Sequence, residues 1–362
     1  MANKKIGIMT TGGDCSGLNT VIQRIVDACR RNKWDIIGIQ DGTDGLYSNP
    51  TKTVDLTNDA FQFASSHLAG SILSNGHAWA TNFESSARAG KLNTFNKRLQ
   101  KSIKELQLDA MVLIGGNGSL SLAYLYPEIY SGLQLVCIPK TIDMDVPLTD
   151  KTIGFDTAVQ QLVSYCDQLL LTARSHHRWF IVQTMGRDCG NLALSAGVAV
   201  AADAILIPEI KFDVENLVKH IKQSKRDYGI IMVSEGISIR GHSGKPAEMI
   251  SRALNTANIP NRTAFPEHIQ RAGDTTASDR ILAAGFADMA IKAIENNETN
   301  VMTVLQNGEY KTISLSDFFN AGKQQKDPNI IGAMTSNAYV EPDNVLLQIA
   351  SDSGIYIGEK RK

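Results

Sequence analysis

No charge of either sign dominates this chain: 36 lysines and arginines face 37 aspartates and glutamates, a net charge of -1. A nucleic-acid-binding surface needs a basic excess or a basic tract, and neither is present, so nucleic acid is excluded as a partner. Any bound anion must be met by cations gathered locally. The five cysteines, Cys15, Cys29, Cys137, Cys166 and Cys189, are scattered and spaced like neither a metal site nor a redox pair. Such thiols read as reduced, which fits a cytoplasmic protein. Long apolar runs are missing as well. The longest, Leu192 to Pro208, is rich in small residues and broken by Asp203, short of the ~20 apolar residues that span a bilayer. Near the start, Ile6–Met9 is too short for a signal peptide. No membrane role is expected. Pro/Ser-rich linkers, low-complexity tracts and internal repeats are absent too.

With 43% hydrophobic and 20% charged residues, the 362-residue chain can hold two domains, each burying its own core. Its first half alternates short apolar runs with helical patterns. Ile6–Met9 reads as a strand that runs into Thr10-Thr11-Gly12-Gly13-Asp14. Leu18, Val21, Ile22, Ile25, Val26 and Cys29 then recur at spacings of three and four, one face of a helix. Ile36–Ile39, Met111–Ile114 and Leu135–Ile138 read as further strands, the last two entering Gly115-Gly116-Asn117-Gly118-Ser119 and Pro139-Lys140-Thr141. The middle repeats the alternation, with strands at Trp179–Val182 and Gly229–Val233. Helices are expected over Gly190–Ala202, Val214–Gln223 and, after Arg280, Ile281–Ile294. A last strand at Gly354–Gly358 is expected before a frayed end. Repeated strand–loop–helix units imply an α/β fold: two doubly wound, mostly parallel-sheet domains with the active site in the cleft between them.

Two glycine loops follow strands, and ligands of open parallel sheets bind beyond the strands' carboxyl ends. Glycine lets backbone N–H groups close on phosphate oxygens while the next helix turns its positive end to the anion. Gly12-Gly13 and Gly115-Gly116-Asn117-Gly118 are so placed, although turns need glycine for their own sake. Thr141-Ile142-Asp143-Met144-Asp145 is sharper. If extended, it turns Asp143 and Asp145 to the same side. One carboxylate can take the proton of an attacking hydroxyl, the other can hold position or assist a magnesium ion. A solvated acidic turn is the plainer reading, and Lys140 with the neighbouring loops argues against it. A third cluster is cationic: Arg174 and Arg178 before a strand, Arg187 after it, then Arg262, His268 and Arg271. Arginine grips phosphate with a bidentate fork, each charged bond worth about 1.5–3 kcal/mol.

In this order, the segments resemble those of the 6-phosphofructokinase family. Gly12-Gly13-Asp14 with Gly17-Leu18-Asn19 resembles its first nucleotide-side loop, Gly115-Gly116-Asn117-Gly118-Ser119 its second, and Pro139-Lys140-Thr141-Ile142-Asp143-Met144-Asp145 its catalytic segment. Ser175-His176-His177-Arg178, Met185-Gly186-Arg187, Ser234-Glu235-Gly236, Arg262 and His268-Ile269-Gln270-Arg271 follow in family order, from about Ile6 to about Ile294. The resemblance implies magnesium-dependent transfer of a phosphoryl group from ATP to the 1-hydroxyl of fructose 6-phosphate, a step of glycolysis. It implies that Asp143 is the base, with Asp145, Thr141, Arg187, Gly12 and Lys140 completing the catalytic set. Gly12, Gly13, His77, Gly116, Asn117, Gly118 and Ser119 would hold the donor, with Asn117 facing magnesium. Thr141, Asp143, Arg178, Met185, Gly186, Arg187, Glu235, Arg262, His268 and Arg271 would hold the sugar phosphate. Arg178 and Arg262 would reach a neighbouring subunit's site, which implies a homo-oligomer, a tetramer or a dimer, with shared active sites. Residues 1–154 with 270–320 would form the donor domain, and 155–269 with 321–362 the sugar-phosphate domain.

Departures from the family pattern fall mainly on the donor side. Asn117 stands in place of an aspartate, a weaker ligand for a hard cation. Met144 stands in place of an asparagine, His77 of an arginine, and Thr43 of an aromatic that packs on adenine. Gly118 resembles ATP users, since an aspartate there would block the nucleotide and repel its α-phosphate. Lys140 resembles pyrophosphate users and also a subset of ATP users. Pyrophosphate is therefore an alternative donor, and a catalytically weak sugar-phosphate-binding homologue an alternative role. A dinucleotide oxidoreductase is disfavoured, because no first-loop fingerprint with its ribose-binding acid is evident.

Overall fold

The short apolar runs form the strands of two sheets in the computed structural model, which describes residues 3–57, 67–76, 91–238, 244–322 and 340–359. In chain order the strands are β1 (Lys5–Thr10), β2 (Asp35–Ile39), β3 (Thr53–Asp55), β4 (Ala110–Gly115), β5 (Gln134–Pro139) and β6 (Trp179–Thr184). There follow β7 (Ala204–Leu206), β8 (Gly229–Ser234), β9 (Asn261–Ala264), β10 (Val301–Gln306) and β11 (Glu309–Ser314). The chain divides into two units. The first comprises Met1–Thr141, Val146–Gly154 and Asp274–Asn337; the second comprises Ile142–Asp145, Phe155–Gly273 and Ala338–Lys362.

The first unit is built on a seven-stranded sheet in the order β11-β10-β5-β4-β1-β2-β3. Its inner pairs are parallel, and the antiparallel partners β3 and β11 stand at the edges. The chain leaves β1 for β2 on one side and returns to β4 on the other, so the carboxyl ends of β1 and β4 flank a topological switch point, where such sheets bind ligands. Both faces of the inner strands are covered, which is why β1, β4 and β5 read as continuous apolar runs. Alternate residues Met111 and Leu113, Leu135 and Cys137, and Met302 and Val304 pack with Leu99 and Ile103 of helix Leu92–Leu106 and Leu120 of helix Asn117–Leu125. Helix Leu18–Asn32 buries the predicted stripe and packs against helix Ala277–Glu295.

The second unit carries a four-stranded, wholly parallel sheet in the order β7-β8-β6-β9. Trp179, Ile181, Ile231 and Val233 face Leu217 and Ile221 of helix Val214–Gln223 and Ile250 and Leu254 of helix Pro246–Thr256. The strand order reverses about β6, which puts a second switch point at the carboxyl ends of β6, β8 and β9. The C-terminal segment docks on this unit: Val340 N donates to Glu209 Oε1 at 3.1 Å and Glu359 N to Lys211 O at 2.8 Å.

The fold class read from the sequence holds, with several corrections. The helix expected from Ile281 begins at Ala277, because the Thr276 hydroxyl caps it by accepting from Asp279 N at 3.2 Å. The helix expected over Gly190–Ala202 is shorter, Asn191–Ala199. Gly354–Gly358 makes a single bridge, Ala204 to Tyr356, instead of a strand. The segment after β5 is not extended: Met144 has φ 50°, in the left-handed region, so strand alternation does not govern Asp143 and Asp145. Among the described residues, no helix is long and apolar enough to cross a membrane.

Candidate active site

In the first unit, the loops after β1 and β4 form a cradle made mostly of backbone. Thr11 N donates to Ile114 O at 2.9 Å, tying the first loop to β4. Gly12 follows with φ 81°, a conformation that strains any side chain. Asn75 Nδ2 donates to Gly12 O at 3.0 Å, and the buried Lys140 ammonium donates to Gly13 O. After β4, Gly116 is the N-cap of helix Asn117–Leu125, whose first amides have no acceptor within the helix and favour an anion. Gly118, the second residue of this helix, is different from Gly12. Its φ is not left-handed, and among the described residues a Cβ built there meets nothing within 4 Å. Neither the backbone nor the described neighbours ask for glycine, which costs about 1 kcal/mol against alanine in a helix. Among the described residues, open space is what glycine leaves there.

In the second unit, the loops after β6, β8 and β9 present side chains. Asp143 and Asp145 are both buried, 4% and 2% exposed. Arg187, with φ 53°, sets its Nε 3.8 Å from Asp143 Oδ2, and its backbone N–H donates to Glu235 Oε1 at 2.9 Å. Met185 N donates to Gln270 Oε1 at 3.0 Å, which ties the β6 loop to the turn Glu267–Arg271. Burial, reinforced by the Asp145 charge, pushes the Asp143 carboxyl up to about 6; the guanidinium groups of Arg187 and Arg271 oppose the shift and Glu235 adds to it. A carboxyl so tuned is ionised at neutral pH and basic enough to accept a proton.

The structure therefore gathers Asp143, Asp145, Met185, Gly186, Arg187, Glu235 and Arg271 within one unit, and Gly12, Gly13, Gly116, Asn117, Gly118, Ser119, Lys140 and Thr141 within the other. His268 is exposed on the same turn as Arg271. His77 lies outside the described residues. Arg178 and Arg262 are not part of the second unit's cluster. Trp179 pairs with Asn261 and Phe180 with Arg262, so both arginines stand at the amino ends of β6 and β9. Met185 and Arg187 follow the other end of β6, a strand of six residues or roughly 20 Å. Gln270 and Asn75 were not singled out from the sequence. Gln270 is 1% exposed within a polar motif, and Asn75 stands next to Gly76, so a polar residue set beside a turn was the available signal.

Magnesium would have to find oxygen ligands. Among the described residues, no group of three or more His, Cys, Asp or Glu could hold a metal. The oxygens at hand are the Asn117 amide in one unit and the Asp143 and Asp145 carboxylates in the other. Each of these groups offers only oxygen, the donor type suited to an ion that keeps most of its shell as water and phosphate oxygen.

Known proteins resemble this chain in sequence and in fold. The family model described as phosphofructokinase matches residues 5–294. The ATP-dependent 6-phosphofructokinase of Trichormus variabilis is 34% identical over 392 residues, covering 99% of each chain. That of a Sulfurihydrogenibium species is 34% identical and covers 88% of this chain and 94% of its own. Among solved structures, phosphofructokinase from Saccharomyces cerevisiae superposes with a TM-score of 0.79 at 24% identity, over 98% of this chain and 48% of that one. A pyrophosphate-dependent phosphofructokinase from Marinobacter aquaeolei superposes at 0.76 with 18% identity, over 99% and 93%. These two likenesses speak to the fold. With the family model spanning most of the chain and curated relatives above 30% identity along nearly all of it, the chain belongs to the phosphofructokinase family and is a phosphotransferase.

Proposed function

We propose that the chain is an ATP-dependent 6-phosphofructokinase, which transfers the terminal phosphoryl group of ATP to the 1-hydroxyl of fructose 6-phosphate and releases fructose 1,6-bisphosphate. The observation that carries the chemistry is the buried carboxyl of Asp143, raised toward neutrality and faced by Arg187 and Arg271. Asp143 accepts the proton of the sugar hydroxyl as that oxygen attacks. Arg187 and Arg271 draw the sugar phosphate in and offset the charge that gathers around the carboxylate. Gly12, Gly13, Gly116, Gly118 and Ser119 hold the donor phosphates by amides and the helix N-terminus, aided by the Lys140 ammonium, with Thr141 beside the transferred group. Magnesium neutralises the donor's phosphate charge when bound, and Asn117 is the residue proposed to face it.

The space over Gly118, which no described residue fills within 4 Å of a Cβ, supports a nucleotide, because a side chain there would crowd the donor. Lys140 favours a second reading: an extra ammonium in the cradle suits pyrophosphate, whose charge is concentrated on two phosphates. One coupled assay with fructose 6-phosphate and either donor decides. We expect turnover with ATP, and a kcat/KM for pyrophosphate exceeding that for ATP would reverse the assignment.

Arg178 and Arg262 stand at the far strand ends from Met185, which supports their service in a neighbouring subunit of a homo-oligomer, proposed to be a tetramer. Co-expressing Asp143→Asn and Arg262→Ala chains, each inactive alone, should then restore activity in hybrids. Hybrids as inactive as their parents would argue for sites completed within one chain.

A further inference from the structure

The turn that carries Asp143 bends at Met144, whose φ of 50° is uncommon for a long side chain. Backbone carbonyls at such a bend, Asp143's buried and Met144's part-buried, need donors. Both are supplied by side chains from the connection after β6. Cys189 Sγ, fully buried, donates to the Asp143 carbonyl at 3.1 Å. Asn191 Nδ2 donates to the Met144 carbonyl at 3.0 Å and lies 3.5 Å from Cys189 Sγ. Burial pushes the Cys189 thiol well above its ordinary value, so it keeps its proton and remains a donor. The connection is itself pinned: Cys189 N donates to Gly186 O at 3.0 Å and Ser234 Oγ to Cys189 O at 3.2 Å. It also carries Arg187, 3.8 Å from the Asp143 carboxylate. One loop thus holds Asp143 at both its carbonyl and its carboxylate.

We propose that Cys189, seconded by Asn191, is a positioning residue that fixes the aim of the Asp143 carboxylate by binding the carbonyls of its turn. The proposal rests on the reading of Asp143 as the proton acceptor. It predicts that the thiol matters as a hydrogen-bond donor, not as a nucleophile or as bulk. Without the donor, the Asp143 carbonyl loses the Cys189 bond in a buried place and the turn shifts, carrying the carboxylate out of line.

The test compares full-length Cys189→Val, Cys189→Ser, Asn191→Ala and Asp143→Asn by steady-state kinetics at saturating donor, with thermal melts in parallel. Valine fills the space without a donor, and serine restores one. We expect Cys189→Val to lower kcat by about 10- to 100-fold while KM for fructose 6-phosphate stays within about twofold. Cys189→Ser should recover most of the loss. Equal losses in the valine and serine variants, or no loss in either, would overturn the proposal, as would a KM that rises as far as kcat falls. Should the valine protein melt too low to assay, Asn191→Ala decides: a kcat drop of about 3- to 10-fold at unchanged KM is expected, and wild-type kcat would sink the idea. Asp143→Asn separates the two layers. Full turnover in that variant removes Asp143 as proton acceptor, whereas a dead Asp143→Asn beside a fully active Cys189→Val removes only the positioning role.

Discussion

The cradle of the first unit and the acid turn of the second both hold charge beyond the carboxyl ends of parallel strands, but with different materials. The cradle uses glycines, helix amides and one buried lysine; its charge-bearing groups are mostly backbone. The acid turn uses buried carboxylates and half-exposed arginines, held by side-chain hydrogen bonds. A backbone site can be spoiled by adding atoms without disturbing the fold. A buried side-chain site stores unfavourable charge, so removing the charge should cost activity and gain stability. The two regions should therefore answer mutation in opposite ways.

Asp143→Asn tests this most severely. Turnover should fall by about 10²–10⁴-fold or more, while fructose 6-phosphate still binds. Stability should move the other way. The carboxyl of Asp143 titrates at about 6 in the fold against 3.8 when unperturbed. Below the lower value both states hold the proton and nothing is gained or lost. Above about 6 both are ionised, and the folded state bears the full burial cost. At neutral pH the asparagine variant should be more stable by about 1 kcal/mol or more, and a lower melting temperature would break the contrast. Gly118→Asp probes the other side. With no described residue within 4 Å of its Cβ, the aspartate should leave the melting temperature alone, helped by its place at a helix N-terminus. Its carboxylate, ~5 Å from a donor phosphate at an effective dielectric of ~20, costs about 3 kcal/mol, roughly 100-fold in kcat/KM for ATP. An unchanged kcat/KM would mean that the donor is not held there.

The same contrast explains what could be read in advance. The cradle was legible because backbone sites leave their mark in composition: Gly12-Gly13 and Gly115-Gly116-Asn117-Gly118 after buried apolar runs. The acid pair was legible as residues but not as geometry, because the bend at Met144 has no local signal; methionine is an unexpected residue for φ 50°. Helix Phe155–Ser175 was not anticipated. Its buried residues, Thr157, Ala158, Leu162, Cys166 and Ala173, are few and mixed in character, and Leu171 is 74% exposed, so the apolar stripe is blurred. The β10–β11 hairpin was missed although Asn307-Gly308, both at positive φ, is a strong turn pair between two runs of alternating residues.

A smaller effect lies in the pH dependence. If Asp143 is the proton acceptor, as proposed, it must be ionised to act, so kcat should be level above about 6 and fall toward tenfold per unit on the acid side. Arg187 holds that value down, so Arg187→Met should move the acid limb toward neutral pH as well as weaken sugar-phosphate binding. A limb that stays in place would show that the arginine's charge is not felt at the base.

The smallest expected effect comes from Met144. Left-handed backbone costs an ordinary residue about 1–2 kcal/mol, and asparagine adopts it more readily because its short amide can bond locally. Met144→Asn should therefore stabilise the protein by about 0.5–1 kcal/mol, seen as a rise of about 1–3 °C in Tm. If the bonds from Cys189 and Asn191 impose the bend, as proposed, the gain should vanish in an Asn191→Ala background, where the turn can relax to a conformation methionine prefers. A gain of equal size in both backgrounds would mean that the turn keeps its shape unaided. The acid turn would then resemble the glycine cradle in being shaped by its own backbone, and the difference between the two regions would lie in charge alone.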